Sequence, residues 1–147
     1  MMDTSKEYIL QCEKAGEIQK LKVCKDTKSG REFDIGDIVI DCMNRGIEWV
    51  GGTFNKAGKV QTTSGYYTTR DYDEEMFIWL PTQDQLQEMV EYSVWFEKIY
   101  RFYEWLQYSK EGETPCVKFD SMEQLWLAFV MSERYQKHWS GTDWVKK

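Results

Sequence analysis

Residues 76–86 have the sequence MFIWLPTQDQL, and this stretch marks a change from strand to helix. Met76–Leu80 is a short apolar run typical of a strand, and Pro81 stops it because proline cannot donate to a strand ladder. Thr82 and Gln85 have the T-x-x-Q spacing of a capping box, which predicts that a helix begins directly after Pro81. The chain is therefore expected to hold strands before this point and helices after it.

The segment before Met76 carries the pattern of short strands joined by turns. Asn44-Arg45-Gly46 and Asn55-Lys56-Ala57-Gly58 are turn sequences, and Gly51-Gly52 either ends a strand or makes a bulge. These connections are too short for parallel crossovers, so the sheet is predicted to be antiparallel. The strands predicted before Met76 are Asp37–Cys42, Ile47–Val50 and Lys59–Thr63.

The two ends of the chain are predicted to be helical. Residues 4–21 form the first helix, capped by Thr4 or Ser5, and a further helix runs over 93–109. The last helix is predicted over 121–138, and Asp120 or Ser121 opens it. The fold class is α+β, with a small antiparallel sheet from the middle of the chain and the helices packed on it. One domain is expected over 1–147, made of a helix and loop (1–32), a strand-rich part (33–80) and a helical part (81–147).

The last helix contains the apolar run Leu125–Met131, which covers every side of a helix. A helix that is apolar all round must be surrounded. The run therefore predicts a central helix packed between the sheet and the other helices. The alternative is that one side of this helix is buried in a homodimer.

Composition and charge argue against several classes of protein. The 147 residues carry 25 acids and 19 bases, a net charge of −6, which disfavours nucleic acid and anionic membrane surfaces. The longest apolar run has seven residues, whereas a membrane-spanning helix needs about 20. The first residues have no signal-peptide pattern, so a cytoplasmic protein is expected. The four cysteines form no CxxC pair and are expected to be reduced thiols.

No motif indicates catalysis, a cofactor or a metal. The single histidine, His138, is predicted at the end of the last helix, where a cation is favourable without any further role. The acidic segment 71–75 could bind a divalent cation, but it lacks the EF-hand pattern, and a solvated loop is the favoured interpretation. No G-x-S-x-G, H-E-x-x-H or phosphate-binding glycine motif occurs. We therefore predict no catalytic residue, no metal ligand and no cofactor.

The 93–109 helix has a broad apolar arc that is predicted to be its buried face. Trp105 and Tyr108 lie on the opposite side, beside Arg101 and other charged residues. Either another segment covers these two rings, or they are exposed beside Arg101 as a protein-interaction site, since exposed rings next to arginine are typical of interface hot spots. The residues of the predicted buried arc are Trp95, Phe96, Ile99, Phe102, Tyr103 and Leu106.

A second hypothesis concerns Tyr66, Tyr67 and Arg70. The two tyrosines could stack on the bases of a single-stranded nucleic acid, with Arg70 near the backbone. The same tyrosines could equally pack on the sheet, and the acids around them argue against nucleic acid. A third hypothesis is a small enzyme whose site has no sequence motif.

Three stretches carry a resemblance to known proteins: WLPTQDQLQEM (79–89), SMEQLWLAFVM (121–131) and WSGTDW (139–144). They resemble a group of small phage and prophage proteins of Gram-positive bacteria, and the resemblance covers mainly residues 76–144. It implies a cytoplasmic protein made inside a bacterial host, and it assigns no catalytic residue. The leading hypothesis is thus a non-enzymatic, phage-type accessory factor that binds a protein through Trp105, Tyr108 and Arg101.

Overall fold

The computed structural model describes residues 2–22, 37–41, 46–54, 59–64, 68–73, 77–108 and 119–147. The chain divides into two compact units. The first unit joins Met1–Gln11 to Thr82–Lys147, and the second is Cys12–Pro81. Helices and strands are both present, which confirms the α+β class.

The elements follow one another in an order close to that predicted. At the N-terminus lie α1 (Lys6–Lys14), α2 (Gly16–Gln19) and a 3-10 turn (Lys20–Lys22). The strands of the middle are β1 (Ile38–Asp41), β2 (Ile47–Phe54), β3 (Lys59–Ser64), β4 (Thr68–Asp73) and β5 (Phe77–Leu80). The C-terminal part holds α3 (Gln83–Glu88), α4 (Trp95–Tyr108), α5 (Met122–Tyr135), β6 (Lys137–Trp139) and β7 (Trp144–Lys146).

The middle of the chain forms one five-stranded sheet in the order β4-β3-β2-β1-β5. Every neighbouring pair is antiparallel, as the short connections predicted. β2 continues through Gly51 and Gly52, and its register against β3 shifts between Val50 and Gly52. The two glycines therefore lie at a bulge within a longer strand, because glycine tolerates the irregular backbone of a bulge.

The edge strand β4 is an element that the sequence pattern did not predict. Residues 71–73 belong to it and pair with β3, so they are not part of a loop, while 74–76 lie outside the described residues. The polar composition of Thr68–Asp73 gives little sign of a strand. The segment forms one because pairing with a neighbouring strand can outweigh local propensity.

The single helix predicted over 4–21 is interrupted. Ser5 is the cap of α1, since its Oγ accepts a hydrogen bond from the Tyr8 N–H at 3.2 Å. The helix ends at Lys14, and Ala15 leaves the helical region with φ −82° and ψ 66°. Gly16, which costs about 1 kcal/mol in a helix relative to alanine, begins the separate short helix α2.

The interruption places Gln19 against the open edge of β5. The buried Gln19 amide donates to the carbonyl of Trp79 at 2.9 Å and accepts from its N–H at 2.9 Å. The same Nε2 also donates to the carbonyl of Cys12 at 3.1 Å. One side chain thus satisfies both backbone groups of an edge-strand residue, as a paired strand would do.

The helix α5 is surrounded within its own unit, as the all-round apolar run predicted, while its predicted packing on the sheet stays a prediction. Residues Trp126–Ser132 are all buried, and they cover every side of the helix. Ser121 is its N-cap, with Oγ accepting from the Gln124 N–H at 3.1 Å. The prediction that this helix reaches 138 was wrong. Gln136 adopts a left-handed conformation, φ 54° and ψ 43°, which ends the helix.

The residues after Gln136 form a hairpin of β6 and β7 on helix α1. His138 therefore lies in β6, opposite Val145, and not at a helix end. Trp139 and Trp144 face each other across the hairpin, with ring centroids 5.0 Å apart. Their indole N–H groups donate, each at 2.9 Å, to α1: Trp139 to the carboxylate of Glu7 and Trp144 to the carbonyl of Gln11.

Asp3 connects the start of the chain to the start of α5. Its Oδ2 accepts from the hydroxyl of Ser121 and from the Gln124 amide at 2.7 Å, and its Oδ1 accepts from the Ser5 N–H at 2.8 Å. Burial raises the pKa of Asp3, but the hydrogen bonds from Ser121, Ser5 and Gln124 outweigh it and hold this pKa below its ordinary value. A carboxylate at a helix N-terminus is also favoured by the helix dipole.

Replacement of Gln19 by methionine tests the bond to the sheet edge. The change keeps a long side chain but leaves the N–H and carbonyl of Trp79 without this partner, so we expect a loss of about 2–4 kcal/mol in the free energy of unfolding. Urea unfolding measures it. The half-exposed Gln83 is the matched control, and Gln83→Met is expected to cost less than about 0.5 kcal/mol. Equal effects would contradict the role of Gln19.

Asp3→Asn tests the carboxylate at α5 through the pH dependence of stability. Because the pKa of Asp3 is lowered in the folded chain, its contribution is complete above the ordinary value of 3.8 and is lost as the pH falls through the lowered pKa. We expect a cost of about 1 kcal/mol at neutral pH that disappears in acid. Urea unfolding of both chains at pH about 7, 4 and 3 measures this. A difference that stays constant with pH would contradict it.

Candidate protein-binding surface

Helix α4 is held in its unit by contacts from the residues around its first turns. Lys98 donates from Nζ to the carbonyl of Gln87 at 2.6 Å, near the C-terminal end of α3, where a cation is favourable. Tyr92, just before α4, donates to the Glu133 carboxylate of α5 at 2.8 Å. Burial, followed by the bond to Glu133, raises the pKa of Tyr92 to about 12, so the phenol stays protonated in neutral solution.

Four aromatic rings join α4 to α5. Phe102 stacks on Trp126, with ring centroids 4.2 Å apart and planes 6° from parallel. Phe129 meets Phe102 edge to face at 5.3 Å, and Trp105 packs against Phe129 at 5.5 Å. Phe102 is only 8% exposed. Aromatic pairs of this kind contribute about 0.5–1.5 kcal/mol beyond the area they bury. This ring cluster therefore decides which side of α4 faces the unit.

The remaining apolar side of α4 faces outward. Each of its five large side chains is more than half exposed, over an arc of about 140° at 100° per residue. We term this surface the α4 aromatic face. It consists of Trp95 (75% exposed), Phe96 (60%), Ile99 (53%), Tyr100 (57%) and Tyr103 (53%).

The prediction that this arc is buried was thus wrong for most of its residues. Of the six residues assigned to it, Phe102 is buried and Leu106 is half-buried, while the other four are exposed. The apolar arc of α4 is wider than the stripe that one neighbouring helix can cover. The ring cluster with α5 uses one margin of the arc and leaves the rest uncovered.

The residues that the sequence predicted as the interaction site lie beside this surface. Trp105 is half-buried because Phe102 and Phe129 of the ring cluster cover part of its ring. Arg101 is exposed and pairs with Glu104 at 3.7 Å. Exposed pairs of this type contribute little to stability. Tyr108 is the last residue of α4, and its side chain lies outside the described part of the chain.

The second set of predicted site residues falls on β4 and the turn before it. Tyr66 and Tyr67 lie outside the described residues. The backbone of Arg70 lies in β4, opposite Thr62 of β3, and its side chain is not among those described. The nucleic-acid hypothesis for these three residues therefore stays a prediction.

The chemistry of the α4 aromatic face is apolar with polar tips. It contains no charged residue, since Glu97, Arg101 and Glu104 lie on the adjoining side of the helix. Trp95 and Phe96 meet edge to face, with centroids 6.3 Å apart. Tyr103 accepts from the Gln107 amide at 2.7 Å, so its hydroxyl is held at the margin. Such a surface can exclude water when it packs against another apolar surface.

Tyr100 belongs to this face, although it was not among the residues predicted for the apolar arc. The width of the apolar arc was the signal that could have indicated it, because a face too wide for one neighbour must leave rings uncovered. In the part of the chain that the structure describes, no helix is long and apolar enough to cross a membrane, and no three of His, Cys, Asp and Glu lie where they could hold a metal ion.

Two phenylalanines on α4 test its orientation. Phe102→Ala removes a buried ring and is expected to cost about 3–5 kcal/mol in the free energy of unfolding. Phe96→Ala, the matched control on the same helix, removes an exposed ring and is expected to cost less than about 1 kcal/mol. Urea unfolding at low protein concentration measures both. Equal losses, or a larger loss at Phe96, would contradict the orientation.

Comparison with known proteins does not add to the geometry. No protein-family model, no curated protein and no solved structure matches this chain.

Proposed function

We propose that this protein is a non-enzymatic protein-interaction factor and that the α4 aromatic face is its binding surface. The observation that carries the proposal is the exposure of five adjacent large apolar side chains on one helix, each more than half open to solvent. Phe96, Ile99 and Tyr103 lie at its centre, and Trp95 and Tyr100 lie at its margins.

The size of this face supports the proposal. At roughly 150–250 Å² for a whole aromatic side chain, the five exposed residues present on the order of 500 Å² of apolar surface. The largest patch on a typical soluble protein is about 300–600 Å² and is often functional. An uncovered patch of this size is expected to be an interaction site.

The composition of the face supports the same function. Aromatic side chains are enriched in protein interfaces, and charged residues are depleted from their centres. Trp and Tyr carry a large share of binding energy at interface hot spots, because they bury much area with little loss of side-chain entropy. Arg101 and Glu104 form an exposed ion pair on the neighbouring side of α4, outside this face.

The sequence resemblance suggests where such a factor acts. The resemblance to small phage and prophage proteins of Gram-positive bacteria implies a protein made inside a bacterial host, so we place this protein in the cytoplasm as an accessory factor. We move the proposed partner surface from Trp105, Tyr108 and Arg101, which the sequence predicted, to the adjoining α4 aromatic face. Trp105 keeps a supporting role, since it packs on Phe102 and Phe129.

A pull-down with matched variants tests the proposal. The face variant Phe96→Gln, Ile99→Gln and Tyr103→Gln replaces the centre with good helix formers. The control variant Glu97→Gln, Arg101→Gln and Glu104→Gln makes three changes on the charged side of the same helix. The lysate comes from bacteria that also express the untagged natural chain. The natural chain and the control are expected to retain a protein from it, and the face variant is expected to lose at least about tenfold of that protein.

Two further measurements make the result decisive. Thermal melting of the face variant is expected to stay within a few degrees of the natural chain, since exposed substitutions usually cost less than about 0.5 kcal/mol each. Nuclease treatment of the lysate separates protein from nucleic acid, the alternative partner assigned to Tyr66, Tyr67 and Arg70. Equal capture by the face variant and the natural chain, or capture abolished by nuclease, would contradict the proposal.

A further inference from the structure

We infer that the α4 aromatic face binds a second copy of this chain, through an antiparallel two-fold pairing of the two α4 helices. The inference rests on the proposed function, because it names the partner of the same face. Four properties of α4 (Trp95–Tyr108) support it: the spacing of its apolar side chains, their symmetry, their exposed area and the placement of charge.

The spacing along the face is that of a helix–helix seam. Phe96, Ile99 and Tyr103 of the face are followed by the half-buried Leu106, at intervals of three, four and three residues. This 3-4-3 spacing is the pattern of the a and d positions in paired helices, where each side chain enters a gap on the facing helix. Trp95 and Tyr100 flank the seam and would close its margins.

The seam is also complementary to itself. Phe96 and Leu106 lie equally far from position 101, and so do Ile99 and Tyr103. In an antiparallel pair centred at this position, Phe96 meets Leu106 of the second copy, and Ile99 meets Tyr103. An aromatic ring therefore faces an aliphatic side chain at every level of the seam. A two-fold interface needs such self-complementarity, since each surface meets its own copy.

The exposed area fits a small dimer interface. On the order of 500 Å² per copy makes a total on the order of 1,000 Å², at the threshold for a specific interface. Interfaces at this low end are weak or transient. The dimer is therefore expected to exchange with the monomer in the micromolar range.

The α4 aromatic face itself carries no charge that opposes a second copy as the occupant. The face brings no charged group into the seam, so pairing it with itself buries no unpaired charge. Each chain carries a net charge of −6, which opposes association at low ionic strength. Salt screens that repulsion, and the dimer is expected to become tighter as salt is added.

Analytical ultracentrifugation of the purified full chain tests the inference. From about 1 to 200 µM, the mass is expected to rise from 17.6 kDa towards twice that value, and more steeply at higher salt. The variant with Phe96→Gln, Ile99→Gln and Tyr103→Gln is expected to stay monomeric throughout. The variant with Glu97→Gln, Arg101→Gln and Glu104→Gln is expected to dimerise like the natural chain.

A charge-pair experiment tests the antiparallel register. Ile99→Lys alone and Tyr103→Glu alone each place a charge in the seam and are expected to be monomeric. When the two variants are mixed, the introduced lysine of one chain meets the introduced glutamate of the other, because position 99 faces position 103 of the second copy. The mixture is therefore expected to form a heterodimer, whereas a parallel pair would not join these positions.

The outcomes separate this inference from the proposed function. A natural chain that is monomeric at about 200 µM overturns the inference. The proposed function still stands if the α4 aromatic face is required to capture another protein, and both fall if nothing depends on the face. A dimer that survives the three glutamine substitutions at Phe96, Ile99 and Tyr103 also overturns the inference. A mixture of charge variants that stays monomeric overturns the antiparallel register.

Discussion

The stack of Phe102 on Trp126 determines what α4 presents to solvent. The rings lie almost parallel at 4.2 Å, and Phe129 closes the cluster edge to face with Phe102. Because side chains on a helix are spaced at 100°, Tyr103 lies about 100° and Phe96 about 120° from Phe102, so turning Phe102 inward turns these two rings outward. The exposure of the α4 aromatic face is thus a consequence of one aromatic contact on the other margin of the same helix.

That contact depends in turn on α5 being held in place. Ser121 caps the helix, and Asp3 accepts hydrogen bonds from Ser121 and Gln124 at its start. Beyond its C-terminus, the hairpin returns Trp139 and Trp144 to α1. This unit is therefore built around α5, and α4 is attached to it through the ring cluster and the hydrogen bonds of Tyr92 and Lys98. A scaffold of this kind can expose one apolar helix face without losing its core.

Features determined by neighbouring residues were predicted well from the sequence. The capping box of Thr82 and Gln85 has both of its reciprocal bonds, and the helix begins where Pro81 indicated. The buried run Leu125–Met131 correctly indicated a surrounded helix, since its apolar side chains cover every side. Both are local patterns, and interactions within a few residues are sufficient to produce them.

Features determined by distant parts of the chain were predicted poorly. Gln136 ends α5 in a left-handed conformation that glutamine rarely adopts, and β4 owes its strand form to pairing with β3. The orientation of α4 depended on which side of a wide apolar arc α5 would cover. A helical wheel gives the width of such an arc but does not identify the neighbour, so Phe96 and Phe102 looked equivalent in the sequence.

The most direct test is a nuclear Overhauser experiment on chains labelled at the aromatic rings. It measures which α4 side chain lies against Trp126. We predict strong contacts between the rings of Phe102 and Trp126, and no contact from the Tyr103 ring to Trp126 or Phe129 of the same chain. Strong contacts from Tyr103 to those two rings, without contacts from Phe102, would show that the apolar arc of α4 is turned inward, and the proposed binding surface would not exist.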